Sequence, residues 1–362
     1  MKILNERFHM VNYKTEEFEV ITYEDGTRFV ELPELTEEEK EIIDPLVAPT
    51  SGLRIEIYEE TEGGDYYLPK RKLFLFFRVF KAIAQKFKAM KEGTGEDFKV
   101  LIMTDDRPSK DVLLNHCSEI FAHEGYEVFH QEDEPGTSRV SSPYGAASVA
   151  LYDDINLALV ITASHNELTW NGIKFYMDYP IPISGDLFKD ISQRALTYEK
   201  IDLNPCEPKK RDVNQKNNEY VKDLLSHVME IESLKDKNIV IWPYLGKAKG
   251  LVDLFEDLGA KVTLIEETLN PPNPIKTIKE DKLKRVMDES NSDLALLLDA
   301  DRDRIALYSK QDGEYYTYIP NEIYSAMHNI LAREQGRKII NVRTIPSDLR
   351  GDKSSSVNIL TG

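Results

Sequence analysis

One string of the sequence combines residues that could carry a phosphoryl group. Residues 162–174 read TASHNELTWNGIK, with Ser164 and His165 directly after an apolar run at 157–162 and Lys174 downstream. A serine hydroxyl at a tight strand-to-loop turn is exposed enough to attack or carry a phosphoryl group, and Lys174 could return to the same face and offset its charge. A Ser-His pair alone is more often a helix N-cap beside a surface histidine, but the complete string favours covalent chemistry.

A second string, DADRDR at residues 299–304, contains three alternating aspartates. Asp299, Asp301 and Asp303 could converge on one hard cation such as Mg²⁺, which prefers oxygen ligands. An EF-hand calcium loop would need Gly and Glu at its sixth and twelfth positions, where this sequence has arginine and lysine. The alternative is a solvated acidic turn, but the apolar run that leads into the cluster favours a position facing a cleft.

Arginines in two further loops could bind or brace charged groups. Arg54 ends the turn-forming string PTSGLR at 49–54. It could bridge phosphate oxygens in bidentate fashion, although a lone loop arginine is more often a surface residue. The string DDR at 105–107 follows another apolar run and is expected to brace that edge of the fold.

The elements that position these strings alternate between strand and helix. Apolar runs, helical spacing and glycine stops predict two successive units of the same order. In the first they are strand 100–103, helix 109–124, strand 126–130, helix 143–152 and strand 157–162, and in the second strand 238–242, helix 251–258, strand 261–265, helix 281–290 and strand 294–298. This order predicts the α/β fold class, as tandem three-layer α/β/α domains with mixed, mostly parallel sheets. Ligands of such sheets bind beyond the carboxyl ends of strands, where both strings lie.

The sequence predicts three domains. They are residues 1–205, with the serine string and an N-terminal extension, residues 206–318, with the aspartate string, and residues 319–362. The last begins a third unit, with a helix at 321–336 and a strand at 338–342, but has no room for further strands, so the chain is expected to be truncated. The first 50 residues are expected to be acidic and irregular, apart from an exposed helix around the glutamates at 37–41.

The composition limits the classes of partner. Lys and Arg total 46 against 64 Asp and Glu, a net charge of -18, which argues against nucleic acid as the main partner. The composition is 41% hydrophobic and 30% charged, as in globular proteins. The chain has only two cysteines and no secretory signal, which predicts a cytoplasmic protein. No apolar run approaches the ~20 residues that a membrane span needs, which predicts that the protein has no membrane partner. The sequence does not indicate an oligomeric state.

Together these strings resemble the α-D-phosphohexomutase superfamily, which includes phosphoglucomutases and phosphomannomutases. TSGLR is similar to the family's arginine loop, TASHNELTWNGIKFY to its phosphoserine loop and DADRDR to its metal loop, and PPNP at 271–274 also matches. The resemblance covers residues 49–362, as the family's first two domains and the start of the third. It includes no counterpart of the family's sugar-recognition loop or of its phosphate-binding fourth domain.

The resemblance implies that Ser164 is phosphorylated and that Mg²⁺ is held by Ser164 together with Asp299, Asp301 and Asp303. In the reaction that the resemblance implies, the phosphoserine gives its phosphoryl group to a hexose phosphate substrate. The resulting sugar 1,6-bisphosphate turns over in the cleft, as intermediate and activator, and its other phosphoryl group returns to the serine. The implied enzyme is an isomerase, an intramolecular phosphotransferase that interconverts sugar 1-phosphate and 6-phosphate. Glucose, mannose, glucosamine and pentose phosphates all stay open as substrates.

The resemblance also implies roles for four basic residues. It makes Lys174 and Arg54 candidates for proton transfer or for stabilising phosphoryl charge. Arg304 is implied to lie against the phosphoserine region, and His165 to support the loop.

Three departures from the family pattern bear on activity. Glu167 replaces the usual proline, Ile55 the usual glycine and Arg302 the usual small residue. The last two leave room for altered substrate choice or reduced activity. One alternative is an aspartyl-phosphate phosphatase of the haloacid dehalogenase type, which also opens with Asp-x-Asp but expects Thr or Val at Asp303 and leaves the serine string unexplained. The other is a catalytically silent sugar-phosphate-binding module.

Overall fold

The computed structural model of this chain describes residues 12–44, 46, 53–95, 97–131, 141–177, 185–228, 230, 234–344, 347 and 349–361. The chain divides into two compact units, one formed by the described residues of 1–132 and 144–213 and the other by those of 133–143 and 214–362. The boundaries of the three domains stay a prediction.

The first unit combines short strands near its start with a longer alternation of strands and helices. Its strands are β1 (Tyr13–Thr15), β2 (Ile21–Thr22), β3 (Arg28–Glu31), β4 (Arg54–Glu56), β5 (Glu59–Glu60), β6 (Tyr66–Leu68), β7 (Lys99–Thr104), β8 (Glu127–Gln131), β9 (Leu157–Ile161), β10 (Trp170–Met177), β11 (Lys200–Leu203) and β12 (Lys209–Arg211). Its helices are α1 (Glu37–Ile43), α2 (Lys70–Met90), α3 (Lys110–His123), α4 (Ser142–Leu151), whose first two residues group with the second unit, and α5 (Asp186–Ala195).

The main sheet of this unit has the strand order β12-β8-β7-β9-β10-β4. The strands from β12 to β9 are parallel, whereas β10 and β4 are each antiparallel to their neighbours. The prediction of a mixed, mostly parallel sheet is therefore confirmed. Because β7 and β9 are parallel neighbours, with Thr104 beside Ile161, the loops that follow these two strands start at the same edge of the sheet.

Helices cover both faces of this sheet. Val100 and Ile102 of β7 lie in one hydrophobic core with buried residues of α2, α3 and α5. Successive side chains of a strand point to opposite faces, and on the other face α4 packs closely. A Cβ at Gly145 of α4 would lie 2.6 Å from Val160 Cγ2 and 3.4 Å from Met103 Sδ. This arrangement is the predicted α/β/α layering.

The apolar stretch 73–80 lies in α2 and is buried throughout. Arg78 interrupts it but is only 3% exposed, and its guanidinium donates to the backbone carbonyls of Tyr198 and, at 2.9 Å, Pro33. A buried cation is tolerated when such acceptors replace water. Within the described part of the chain, no helix has the length and apolar character needed to cross a membrane.

The first 50 residues are more regular than predicted. The exposed helix is present as α1, with a capping box formed by Thr36 and Glu39. However, β1 pairs parallel with β6, and β3 pairs antiparallel with β11. The expectation of irregular structure is wrong here, because strands of two to four residues carry little pattern of their own and are held by partners far along the chain.

The second unit repeats the strand and helix alternation. Its helices are α6 (Asn214–Ser226), α7 (Lys249–Asp257), α8 (Glu280–Glu289) and α9 (Pro320–Asn329), and its strands are β13 (Asn238–Trp242), β14 (Lys261–Leu264), β15 (Leu294–Leu298), β16 (Ile305–Gln311), β17 (Glu314–Tyr318), β18 (Ile340–Thr344) and β19 (Val357–Thr361). The main sheet has the order β14-β13-β15-β16-β17, parallel at β14-β13-β15 and antiparallel beyond. Alternate residues of β13 and β15 fill two separate cores, one with α8 and one with α7.

The last described segment is less well buried. The predicted helix 321–336 ends as α9 at Asn329 and continues as a π-helical turn, Ile330–Glu334. β18 and β19 pair in parallel, joined through the 3-10 helix Leu349–Ser354. Apolar side chains of this pair stay exposed, with Ile340 at 67% and Leu360 at 59%.

Candidate functional site

The serine string forms the loop between β9 and β10. Ser164 has a left-handed backbone, with φ 54°, which a residue other than glycine adopts only at an energetic cost. Its N–H donates to the hydroxyl of Thr162 (2.9 Å), and its Oγ lies 3.4 Å from Nδ1 of His165. The Asn166 N–H donates to the Ala163 carbonyl (3.1 Å) and closes the turn. The structure thus places Ser164 directly beyond a strand with His165 beside it.

The prediction that the Ser164 hydroxyl is exposed is wrong, because Ser164 is 0% exposed. Buried polar side chains draw the loop inward: Thr162 Oγ1 donates to Asp105 Oδ2 at 2.7 Å, and both residues are buried. A buried hydroxyl is shielded from water, which would protect a phosphoryl group on it from hydrolysis.

Arg107 lies beneath the loop. Its guanidinium donates to the backbone carbonyls of Ser164 (2.7 Å), Asn166 (2.9 Å), Trp170 (3.1 Å) and Glu167. It also forms an ion pair with Asp105 at 3.2 Å, with both side chains fully buried. The expectation that the string at 105–107 braces this edge agrees with these contacts of Asp105 and Arg107.

Strand β10 brings the other predicted residues of this unit to the same place. Gly172 pairs with Arg54 of β4, while its carbonyl accepts from the Thr162 N–H at 3.0 Å. Lys174 follows two residues later, pairs with Val160 of β9 and is 6% exposed. Arg54, the serine loop and Lys174 therefore meet around one strand. The preceding part of the arginine string, 47–52, lies outside the described residues.

Gly172 cannot be replaced without moving backbone. A Cβ built there would lie 2.6 Å from the Leu53 carbonyl oxygen and 2.9 Å from the Thr162 carbonyl oxygen. We expect Gly172→Ala to lower the free energy of unfolding by about 1–3 kcal/mol, the usual range for overpacking, as measured by urea denaturation. Gly63→Ala is the matched control, since its Cβ would meet nothing closer than 3.9 Å. Equal stability of the two variants would contradict the close approach.

The aspartate string forms a tight loop between β15 and β16. One carboxylate oxygen from each of Asp299, Asp301 and Asp303 lies within 4.8 Å of the others, close enough to share a metal ion. The first two are fully buried and Asp303 is exposed. The Ser142 N–H donates to the Asp301 carbonyl at 2.9 Å and its hydroxyl donates to Asp301 Oδ2. A buried pair of carboxylates beside an exposed one gives a cation an entry from solvent.

Arg304 lies against the aspartates. Its N–H donates to Asp299 Oδ1 (3.1 Å), and its Nη1 is 3.9 Å from Asp299 Oδ2. The guanidinium therefore adds positive charge to this loop. Its implied position beside the phosphoserine region stays a prediction.

Arg302 has a left-handed backbone at a position where the family pattern has a small residue. Its φ is 60°, a backbone conformation that is strained for every residue with a Cβ atom. Its guanidinium donates to the carbonyls of Leu245 (2.9 Å) and Ala300. The loop thus keeps a backbone shape suited to glycine, while the longer side chain ties the loop to the segment after β13.

The backbone strain at Arg302 can be measured with two variants. We expect Arg302→Gly to be more stable than Arg302→Ala by about 1 kcal/mol, because both lose the guanidinium but only Ala keeps the Cβ that disfavours positive φ. At Arg285, an exposed residue within α8, the order should be reversed by about 1 kcal/mol. Urea unfolding of the four variants tests this, and a more stable Ala variant at 302 would contradict it.

Comparison with known proteins adds to this geometry. Residues 50–202 match the family described as phosphoglucomutase/phosphomannomutase, alpha/beta/alpha domain I. A phosphoglucosamine mutase of Dictyoglomus thermophilum is 25% identical over 246 residues, covering 66% of this chain and 51% of the relative. A phosphomannomutase of Escherichia coli is 29% identical over 201 residues, covering 50% of this chain and 42% of the relative. Residues 50–202 of this chain are therefore similar to the first domain of these mutases.

The fold of the phosphohexomutases extends beyond the matched domain. The crystal structure of a Thermus thermophilus protein assigned as a phosphomannomutase aligns with a TM-score of 0.66 at 20% identity, over 88% of this chain and 69% of that one. The chain spans about half the length of the curated relatives named above. A haloacid dehalogenase-type phosphatase is not favoured by these comparisons.

Arg107 is the residue whose link to the serine loop the sequence did not reveal. Its neighbour Asp106 points elsewhere and pairs with Lys110 at 3.2 Å. The sequence did hold one indication of this link. The loops that follow two neighbouring parallel strands start at the same edge of the sheet, and Arg107 and Ser164 each lie in a loop that follows a predicted strand. The strand order β8-β7-β9, which makes these two loops neighbours, came only from the structure.

Proposed function

We propose that this chain is the phosphoserine- and metal-binding part of a phosphohexomutase that interconverts a sugar 1-phosphate and a sugar 6-phosphate. The observation that carries the proposal is the fixed position of Ser164, beyond β9 in a left-handed turn, within a segment that matches the family. The proposed substrate is a hexose phosphate. Two free cysteines support a cytoplasmic location.

The proposed reaction is a phosphoryl transfer at Ser164 Oγ. In one direction the bond between Oγ and phosphorus breaks with its electron pair on Oγ, a sugar hydroxyl oxygen bonds to phosphorus, and the hydroxyl proton is passed to Oγ, which gives the sugar 1,6-bisphosphate. In the other, Oγ bonds to phosphorus, the sugar oxygen leaves with the electron pair, and the serine proton is passed to that oxygen. Such transfers depend mainly on positioning and on charge stabilisation.

Charged residues of the first unit suit this transfer. A phosphoserine carries about -1.5 to -2 charges at pH 7. Arg107 is already balanced by Asp105, so Lys174 and Arg54 are the proposed groups for stabilising phosphoryl charge. Of the two, Lys174 is proposed to move the proton, because a guanidinium keeps its protons. His165, 3.4 Å from the hydroxyl, is proposed to support the loop.

We propose Mg²⁺ as the ion of the aspartate loop. Asp299, Asp301 and Asp303 supply only oxygen ligands, which hard divalent cations prefer. The three negative charges of the aspartates are balanced by a divalent cation together with Arg304. When bound, the cation would supply electrostatic stabilisation of the transferring phosphoryl group.

The proposal is tested by phosphoryl labelling. The intact chain is incubated with glucose 1,6-bisphosphate and Mg²⁺, and its mass is measured with and without phosphatase treatment. We expect one phosphoryl group per chain, mapped to Ser164 by peptide analysis. Labelling only at Ser51 or Ser109 would contradict the assignment. Metal binding without any labelling would favour the catalytically silent sugar-phosphate-binding module.

A further inference from the structure

The buried ion pair of Arg107 and Asp105 holds the serine loop without adding net charge to it. Both side chains are 0% exposed and their charges cancel. A buried pair of this kind contributes hydrogen-bonding geometry more than it contributes a long-range field. The ion pair therefore acts on Ser164 by fixing its position and not by changing its electrostatic environment.

All of the donors of Arg107 are used within the protein. A guanidinium has five N–H groups. Nε donates to Asp105, Nη1 to the carbonyls of Glu167 and Trp170, and Nη2 to the carbonyls of Ser164 and Asn166. None is left to bind a phosphate oxygen, so Arg107 differs from an arginine that binds substrate.

The same pair controls both peptide groups next to Ser164. On the carboxyl side, Arg107 binds the Ser164 carbonyl (2.7 Å). On the amino side, the Ser164 N–H donates to Thr162 Oγ1 (2.9 Å), and that hydroxyl donates to Asp105 Oδ2 (2.7 Å). The ring of contacts through these four residues fixes the left-handed φ of 54°, which a serine in a free loop rarely adopts.

We propose that Arg107 is a positioning residue for phosphoryl transfer: it holds the Ser164 peptide in its left-handed conformation and so directs Oγ at the phosphorus. This inference rests on the proposed function of Ser164. A misplacement of about 1 Å can lower a rate about 100-fold, and a lysine at this position has one ammonium group in place of the planar fork.

The test compares the rate of Ser164 labelling by glucose 1,6-bisphosphate over a range of donor concentrations. We expect Arg107→Lys to lower the maximal rate about 100-fold and to leave the half-saturating donor concentration unchanged. Thr162→Val should also lower the maximal rate, because it removes the hydroxyl that binds the Ser164 N–H, and Thr162→Ser should restore it. The Thr162 variants keep the buried ion pair, so they still test the inference if Arg107→Lys does not fold.

Arg78→Lys is the matched control for general destabilisation. Arg78 is another buried arginine of the same unit that donates to backbone carbonyls, but none of these belongs to the serine loop. Its substitution should lower stability without changing the maximal labelling rate.

Three results would overturn the inference. Wild-type rates in folded Arg107→Lys or in Thr162→Val would remove the positioning role while leaving the function of Ser164 intact. A raised half-saturating concentration at an unchanged maximal rate would make Arg107 a donor-binding residue instead. An unlabelled wild-type chain would overturn the proposed function, and with it the role of Arg107 in transfer.

Discussion

Ser164→Ala is expected to abolish phosphoryl labelling of the chain, a loss of more than about 1,000-fold, because it removes the oxygen that we propose bonds to phosphorus. The residue is fully buried and its Oγ has the His165 ring nearby at 3.4 Å, so loss of one oxygen should change packing little. The measurement is the intact mass after incubation with glucose 1,6-bisphosphate and Mg²⁺.

Ser148→Ala is the control for this change. Ser148 is equally buried, but its hydroxyl donates to the Tyr144 carbonyl within α4 (2.7 Å). Labelling of the Ser148 variant should equal that of the wild type. If the Ser164 variant were labelled as fully as its control, another residue would have to be the phosphoryl carrier.

Asp301→Asn is expected to weaken Mg²⁺ binding by at least about 100-fold, since changes in residues that only support the ligands already cost 10–100-fold. Asn has the shape of Asp and can still accept from the Ser142 hydroxyl that bonds Asp301, but it lacks the charge that favours a divalent cation. Isothermal titration calorimetry of the intact chain with MgCl₂ measures the affinity.

The control for this variant is Asp281→Asn. Asp281 is an exposed acidic residue in the first turn of α8, so its removal changes the net charge equally without touching the aspartate loop. Its affinity for Mg²⁺ should match that of the wild type. Equal affinity of Asp301→Asn and the wild type would show that Asp301 is not a ligand of Mg²⁺. Phosphoryl labelling in the same variant then shows whether transfer depends on the ion.

Elements with strong local patterns could be predicted closely from the sequence. The predicted strands 238–242 and 294–298 are β13 and β15 with the same bounds, because each is a short apolar run in the parallel part of the sheet. By contrast, β1 and β3 depend on partners in β6 and β11. A strand of three or four residues with a distant partner leaves almost no periodic signal.

Arg302 in the aspartate loop also shows what could not be predicted from the sequence. The sequence identified Arg302 as a departure from the family pattern, but only the structure gave its φ of 60° and its bond to the Leu245 carbonyl. The backbone conformation of a loop residue depends on what the loop packs against, and that is not written in the neighbouring residues.

By itself the sequence determined which side chains are available and which lie close by covalent connection: Ser164 beside His165, and three aspartates at alternating positions. Only the tertiary structure decided that Ser164 is buried and that Arg107, 57 residues earlier in the chain, binds its carbonyl. It also decided the close approach at Gly172. Covalent spacing limits distances only over a few residues, whereas these contacts depend on the register of β7, β9 and β10, which is set by the packing of the whole sheet.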